Sequence, residues 1–469
     1  MRAWSTVVVV AVAALAAVSA SGASAHRALP RRSSGSRRLN VVVILSDDER
    51  VDGTSVMHDV QSLLARHGVT FTNYHVTTSE CGPSRASILT GQYSHHTGVT
   101  DNFGLHSYPA FNESSTVATW LQGAGYDTAL VGKYINDYTI YGHHRIPPGW
   151  NDWQVMDSIP MERYYGYAIN DNGHRQEYGY APKDYSTTVL TNKAISFIRG
   201  ATRPFFLYFA PVTPHLPAIP APQDRNKLEN IGPLHVPSIT ASIKDKPWSY
   251  WHKGLLTMAE QVYQGDVRRR QLQSLLSLDR SVARIVHTLK ARHELNDTVI
   301  LYTSDNGFLW GEHRLGGKIW PYEESTHVPL IVRTPWTTRA TTNREPVLNI
   351  DLASTISQLA GVKPAGLQDG RSFVPLLHGV RVPWRKAYLV EYLGRNLLHT
   401  GGPPPYVAVH TARYLYVEYR RGWRELYDLR KDPWELDNVA GQPRYRKLQA
   451  SLGSVLQRLW AQPPQPATA

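Results

Sequence analysis

The sequence predicts an α/β fold, a doubly wound sheet followed by a smaller antiparallel subdomain. Three observations predict it. Short β-branched runs alternate with segments of helical periodicity over most of the chain. Polar residues collect just past the ends of those runs. The tail then changes to short aromatic strands separated by turns.

Residues 1–25 have the features of a secretory signal: Arg2, an apolar run over 6–18, and Ala23-Ser24-Ala25 as a cleavage site. The run is short for a bilayer span, and no other segment is apolar enough to cross one. Cleavage near Ala25 and a secreted chain are therefore expected. Residues 26–39 are polar and basic and are expected to be a disordered linker. The formal net charge is +12. Arg2 and the linker arginines 27, 31, 32, 37 and 38 carry six of these charges, leaving +6 for the rest. That balance suits an anionic substrate and, with no Lys/Arg stripe, excludes a nucleic-acid footprint.

Residues 40–46 form a continuous apolar run, predicting a strand buried on both faces within a parallel sheet. It ends in Asp47-Asp48, at the edge where open α/β sheets bind ligands. A helix over 56–67 and a strand from Val69 follow. Residues 84–90 predict a helix with Cys81-Gly82-Pro83 at its N-terminus. Residues 115–124 predict a second helix, and 127–130 a strand leading into Gly132-Lys133. Residues 204–210 predict a buried strand running out to His215. The clearest helix covers 262–293. The strand over 298–302 leads into Ser304-Asp305-Asn306-Gly307, and another covers 328–332. Segments 407–410, 414–419 and 425–428 predict the small antiparallel sheet, closed by a helix over 447–460. The division expected is a main domain over 40–380 and a C-terminal subdomain over 381–469.

Cys81 is the single cysteine of 469 residues, so it forms no intrachain disulfide and no Cys-only zinc site. It is a buried thiol, an intermolecular bridge, a nucleophile or a modified residue. Asp47, Asp48, Asp305 and Asn306 offer hard oxygens that suit Ca²⁺ or Mg²⁺. Arg85, Lys133, His215 and Lys318 are nearby cations and proton donors. Together they point to a compact, multiply charged anion such as sulfate or phosphate.

The segment Cys81-Gly82-Pro83-Ser84-Arg85-Ala86-Ser87-Ile88-Leu89-Thr90-Gly91 matches C-x-P-S-R-A-S-x-L-T-G, and with it the chain resembles the type I sulfatases. The resemblance extends to Asp47-Asp48, Gly132-Lys133, Pro214-His215-Leu216-Pro217, Ser304 to Gly307, Gly311 to Lys318 and the hairpin at 425–433. It implies an alkaline-phosphatase-like sheet. It also implies oxidation of Cys81 to Cα-formylglycine by a formylglycine-generating enzyme that reads Pro83 and Arg85. Asp47, Asp48, Asp305 and Asn306 would then hold Ca²⁺, with Mg²⁺ a weaker candidate and modified residue 81 a further ligand. One hydroxyl of the hydrated aldehyde would attack sulfur. Arg85 would orient that diol, Lys133 and Lys318 would neutralise sulfate, and His215 would contact sulfate or protonate the leaving oxygen.

Many sulfatases carry His two residues after the first active-site Lys, where this chain has Ile135. Asn136, His143, His144 and His313 are the candidates to replace it. The run from Gly132 to Tyr138 and Pro147-Pro148-Gly149-Trp150 resemble N-acetylglucosamine-6-sulfatases and extracellular heparan sulfatases. The expected substrate is thus a sulfated sugar or an aryl sulfate. The alternatives are a phosphatase or phosphodiesterase of the same fold, or an inactive sulfated-glycan-binding protein. Specificity is expected from loops 138–184 and 248–262.

Overall fold

A computed structural model describes residues 38–246, 253–394 and 402–466. The signal segment, nearly all of the basic linker and positions 248–252 of one specificity loop lie outside the described residues.

Ten strands form the main sheet. In chain order they are β1 (Asn40–Ser46), β2 (Gly68–Phe71), β3 (Asp127–Gly132), β4 (Asp152–Met156) and β5 (Tyr167–Asp171). They continue with β6 (His174–Tyr178), β7 (Phe205–Ala210), β8 (Thr298–Ser304), β9 (Leu330–Arg333) and β10 (Thr341–Asn343). Their spatial order is β10-β2-β9-β8-β1-β7-β3-β4-β5-β6. The five central strands, β8-β1-β7-β3-β4, are parallel. Antiparallel pairing appears toward both edges, at β8-β9 and β9-β2 on one side and at the β4-β5-β6 meander on the other.

The all-apolar run of β1 follows from its place between β7 and β8. Val41, Val43 and Leu45 enter one apolar cluster, and Val42 and Ile44 enter the other. Helices cover both faces. The first face carries α1 (Cys81–Thr90), α2 (Val117–Gly123) and α5 (Asp351–Ala360). The second carries α3 (Ser186–Gly200) and the long α4 (Met258–Ala291). A Thr257–Glu260 capping box starts α4 ahead of the start expected at residue 262.

The segment expected as one regular helix over 56–67 is irregular. It runs as 3₁₀ turns over Val51–Val56 and Ala65–His67 with a π turn over Val60–Leu64. The Asp279 carboxylate accepts from the Asp59 and Val60 N–H groups (2.9 and 2.8 Å), drawing this segment onto α4.

The tail forms a four-stranded antiparallel sheet: β11 (Ala387–Tyr392), β12 (Tyr406–Thr411), β13 (Tyr414–Tyr419) and β14 (Arg424–Asp428). One face, with Tyr388, Tyr406 and Tyr427, packs on Leu309, Ile319 and Tyr322 of the main body. The other face is covered by α6 (Arg446–Trp460) through Leu452 and Leu456. The sheet is therefore an extension of the core.

Candidate active site

Strand register assembles the site. Ser46 of β1 sits opposite Ser304 of β8, so Asp47 and Asp305 leave the sheet side by side. Gly132 ends β3 opposite Ala210, the last residue of β7. A Cβ at Gly132 would lie 2.1 Å from the Ala210 carbonyl oxygen, and φ is +127°. Only glycine permits this approach, which delivers Lys133 to the same edge. Past the end of β7, the chain reaches His215.

The N-terminus of α1 points into this edge. Cys81 Sγ donates to Asp47 Oδ1 at 3.3 Å and lies 3.9 Å from Asp48 Oδ1. Lys318 Nζ donates to Cys81 Sγ (2.6 Å) and to Asp48 Oδ1. Lys133 Nζ, wholly buried, donates to Asp47 Oδ2 and pairs with Glu162 Oε1, each at 2.8 Å. Arg85 Nε donates to Asp305 Oδ2 (2.8 Å), and its second arm lies 3.3 Å from Asp47 Oδ2. His215 Nε2 is 3.6 Å from Asp48 Oδ2, while its Nδ1–H donates to the Leu216 carbonyl (2.7 Å). Asp47, Asp48, Cys81, Arg85, Lys133, His215 and Asp305, with Lys318 and Asn306, thus lie together.

Electrostatics follow from burial and charge. Burial alone would raise the Asp47 carboxyl, but Lys133, Arg85, His215 and Lys318 hold it well below the usual carboxylate range. Asp305 is raised, by burial and by the Asp47 charge beside it. Burial, Asp305 and Asp47 push the Cys81 thiol well above its ordinary value.

The donor set fits a hard divalent cation. Asp47, Asp48, Asp305 and Asn306 present oxygens only, and Asn306 Oδ1 is buried without a hydrogen-bond partner. Asn306 is oriented by its Nδ2 donating to Asp48 Oδ1 (2.7 Å). Asp48 itself has φ +73°, a strained backbone beside these oxygens. Charge gives the same answer. Asp47, Asp48, Asp305 and Glu162 exceed Arg85, Lys133 and Lys318 by one, so a dianion is repelled until a divalent cation reverses the sign.

A cleft of about 780 Å³ opens over these groups, lined among others by Asn102, Asn136, Glu162, His215, Tyr263 and Trp320. Ile135 is fully buried in the apolar core, so that position turns away from the cleft. Of the candidates to replace the absent histidine, Asn136 lines the cleft. His144 instead bonds Asp157 (2.7 Å) in a separate pocket, and His313 is buried in a stack on Tyr322. His143 does not line the cleft. Sequence reasoning missed Glu162 and Asn102. Asn102 Oδ1 accepts from the Gly82 N–H (2.7 Å) and so anchors the start of α1. Neither residue lies in a strand-end motif that could have flagged it.

A family model described as Sulfatase matches residues 39–362, and one described as N-sulphoglucosamine sulphohydrolase, C-terminal, matches residues 311–462. The chain belongs to the sulfatase family. This sulfatase is 35% identical over 381 residues to the extracellular sulfatase SULF-1 homolog of Drosophila melanogaster, covering 78% of this chain and 34% of the fly protein. It is 33% identical over 455 residues to the N-acetylglucosamine-6-sulfatase of Capra hircus, covering 87% of this chain and 81% of the goat protein. The sulfatase thus spans about a third of the fly relative's length and about four-fifths of the goat relative's. A solved structure in complex with its substrate, D-glucosamine-2-N,6-O-disulfate, superposes with TM-score 0.77 at 25% identity, covering 90% of this chain and 97% of the other. The phosphonate monoester hydrolase of Agrobacterium radiobacter shares the fold (TM-score 0.75, 22% identity, 90% and 96% coverage).

Proposed function

We propose that this sulfatase hydrolyses sulfate monoesters of sugars, with glucosamine 6-sulfates the favoured class and aryl sulfates secondary. The observation that carries the reading is the convergence of four hard-oxygen side chains and three cations on residue 81. The substrate class rests on the names of the relatives, N-acetylglucosamine-6-sulfatase among them, and on the glucosamine disulfate in the related structure.

In this reading Cys81 is converted to Cα-formylglycine by a formylglycine-generating enzyme. Cys81, Pro83 and Arg85 are all buried, so that conversion has to precede closure of the fold. Once converted and hydrated, residue 81 would supply the hydroxyl nucleophile for sulfur, and its second hydroxyl would allow return to the aldehyde with release of sulfate. Asp47, Asp48, Asp305 and Asn306 would hold Ca²⁺, which supplies positive charge beside the nucleophile and the sulfate oxygens.

The chain's own side chains do the rest. Arg85, fixed by Asp305 and the Lys133 carbonyl (2.8 Å each), orients residue 81. Lys133 and Lys318 neutralise charge on the sulfate oxygens as it develops. His215 Nδ1–H is committed to the Leu216 carbonyl, which leaves Nε2 to exchange a proton with the leaving oxygen. A two-metal phosphatase would need further ligands, and the carboxylate cluster brings a single imidazole, His215, among the described residues. Secretion is part of the same reading, supported by the extracellular relatives and by the N-terminal signal pattern. Among the described residues no helix is long and apolar enough to cross a membrane.

The test is a rate comparison on protein co-expressed with a formylglycine-generating enzyme. Glucosamine 6-sulfate, an aryl sulfate and the matching aryl phosphate are assayed side by side. Sulfate release from the sugar with the highest kcat/KM is expected. Faster cleavage of the phosphate overturns the reading.

A further inference from the structure

A second group of metal-ligating side chains lies apart from the catalytic edge. His75 sits in a short strand (Tyr74–His75), which pairs in parallel with Val347–Leu348. Glu323 opens a single helical turn, Glu323–Thr326, and His327 caps it. Donor atoms of His75, Glu323 and His327 all lie within 4.8 Å of one another. His410, on β12 of the C-terminal sheet, reaches the same place: its Nε2–H donates to Glu323 Oε1 at 2.7 Å. The three imidazoles are packed face to face or tilted, with His75 centroids 4.7 Å from His327 and 5.0 Å from His410.

Stacked histidines around a carboxylate have ordinary structural uses, but here the hydrogen bonding is left open on one side. His75 is only 2% exposed. Its Nε2–H donates to Asn73 Oδ1 (3.1 Å), which fixes the tautomer and leaves Nδ1 with a lone pair. That Nδ1 is buried without a partner, and so is His327 Nε2. A buried acceptor lone pair without a donor costs stability unless something fills it. No thiol is present, so the donors are imidazole and carboxylate, the set that suits a borderline divalent transition-metal ion.

We propose that His75, Glu323 and His327 bind a divalent transition-metal ion, Zn²⁺ by their donor chemistry, with His410 orienting Glu323 from the C-terminal sheet. Around a tetrahedral Zn²⁺ the donors sit about 3.4 Å apart. Glu323 Oε2 and His327 Nδ1 already lie 3.3 Å apart, near that spacing, and their side chains are 29% and 22% exposed. The same exposure gives the ion its entry path and leaves a fourth position for water. His75, Glu323 and His327 all belong to the main domain, and the hydrogen bond from His410 to Glu323 joins this ligand set to the C-terminal sheet. The site shares no ligand with the catalytic edge, so it stands or falls independently of the sulfatase chemistry.

The test uses the full chain, stripped with a chelator and reloaded with saturating Ca²⁺. Zn²⁺ is titrated under buffer competition and bound metal is counted by elemental analysis. Co²⁺ is then substituted and read by visible absorption. About one Zn²⁺ per chain is expected, with an intense tetrahedral Co²⁺ band. His327→Ala and Glu323→Gln each weaken Zn²⁺ binding by roughly 100-fold or more, and His410→Ala by about tenfold, as loss of an orienting partner does. Asn306→Ala, in the catalytic edge, leaves Zn²⁺ binding unchanged. Far-UV circular dichroism of each variant before titration reports its folding. Unchanged Zn²⁺ affinity in folded His327→Ala, Zn²⁺ lost in Asn306→Ala, or no stoichiometric Zn²⁺ in wild type overturns the proposal.

Discussion

Glu162→Gln tests how the site balances its charges. Lys133 Nζ is wholly buried and holds Asp47 Oδ2 and Glu162 Oε1 at 2.8 Å each. Burial would raise the Glu162 carboxyl, but Lys133 and then His215 pull it from 4.5 down to about 2. Its side chain is 12% exposed, so solvent screens the pair little. A drop of that size is worth about 3 kcal/mol of stability to the ionised form. The folded value lies below the unfolded one. The stabilisation is therefore complete above pH 4.5 and is lost as pH falls from there through about 2. Glutamine keeps a carbonyl oxygen for Lys133 but removes the charge. Urea unfolding should show the variant about 2–3 kcal/mol less stable at pH 7 and about half that deficit at pH 3. Inorganic sulfate should inhibit the variant several-fold more strongly, because Lys133 is less neutralised. A stability deficit that is absent, or that stays constant between pH 7 and pH 3, refutes the reasoning.

Cys81→Ala should reduce turnover to background while the unfolding midpoint stays close to wild type, since one small buried group is lost; retained wild-type kcat would remove residue 81 from the chemistry. Asn306→Ala should lower Ca²⁺ affinity by about 10- to 100-fold, read by isothermal titration, because it deletes the buried oxygen left without a partner. Unchanged affinity would place the ion elsewhere. Ile135→His should cost about 2–4 kcal/mol in unfolding free energy and bring no gain in kcat, because the position is sealed in the apolar core. A more active variant would show that the ring can reach the cleft.

What was legible in the sequence was legible for a physical reason. A strand buried on both faces must be apolar throughout, so β1, β7 and β8 stand out, and the polar residues that follow them stand out by contrast. Register then does the assembly: pairing Ser46 with Ser304 makes neighbours of residues 258 positions apart. The edge meander was missed because its strands carry the opposite signal. β6 reads His-Arg-Gln-Glu-Tyr and is almost wholly exposed, with no apolar run to detect. β11 was missed for another reason: a buried carboxylate, Glu391, interrupts its apolar run one residue before the end. That carboxylate is spent on the backbone N–H (3.1 Å) and ring Nδ1 (2.7 Å) of His95, a partner 296 residues away.

The same logic explains which site residues escaped. Asp47, Asp305 and Lys133 each follow directly on the last residue of a strand, so the sheet fixes them in space before any contact is known. Glu162 and Asn102 ride on loops, where position is set by the partner and by nothing local. Glu162 is placed by Lys133, and Asn102 by the Gly82 N–H and by Glu80, whose Oε1 accepts from the Asn102 N–H (3.1 Å). Ile135 marks the limit of motif reading in the other direction. The motif marked it as a vacancy in the catalytic set, yet its side chain is buried in the core while the next residue, Asn136, lines the cleft. Its Oδ1 is buried without a hydrogen-bond partner. A neutral amide cannot shuttle a proton at pH 7. In the proposed reading, proton transfer to the leaving oxygen falls to His215, the one imidazole gathered at the carboxylates among the described residues.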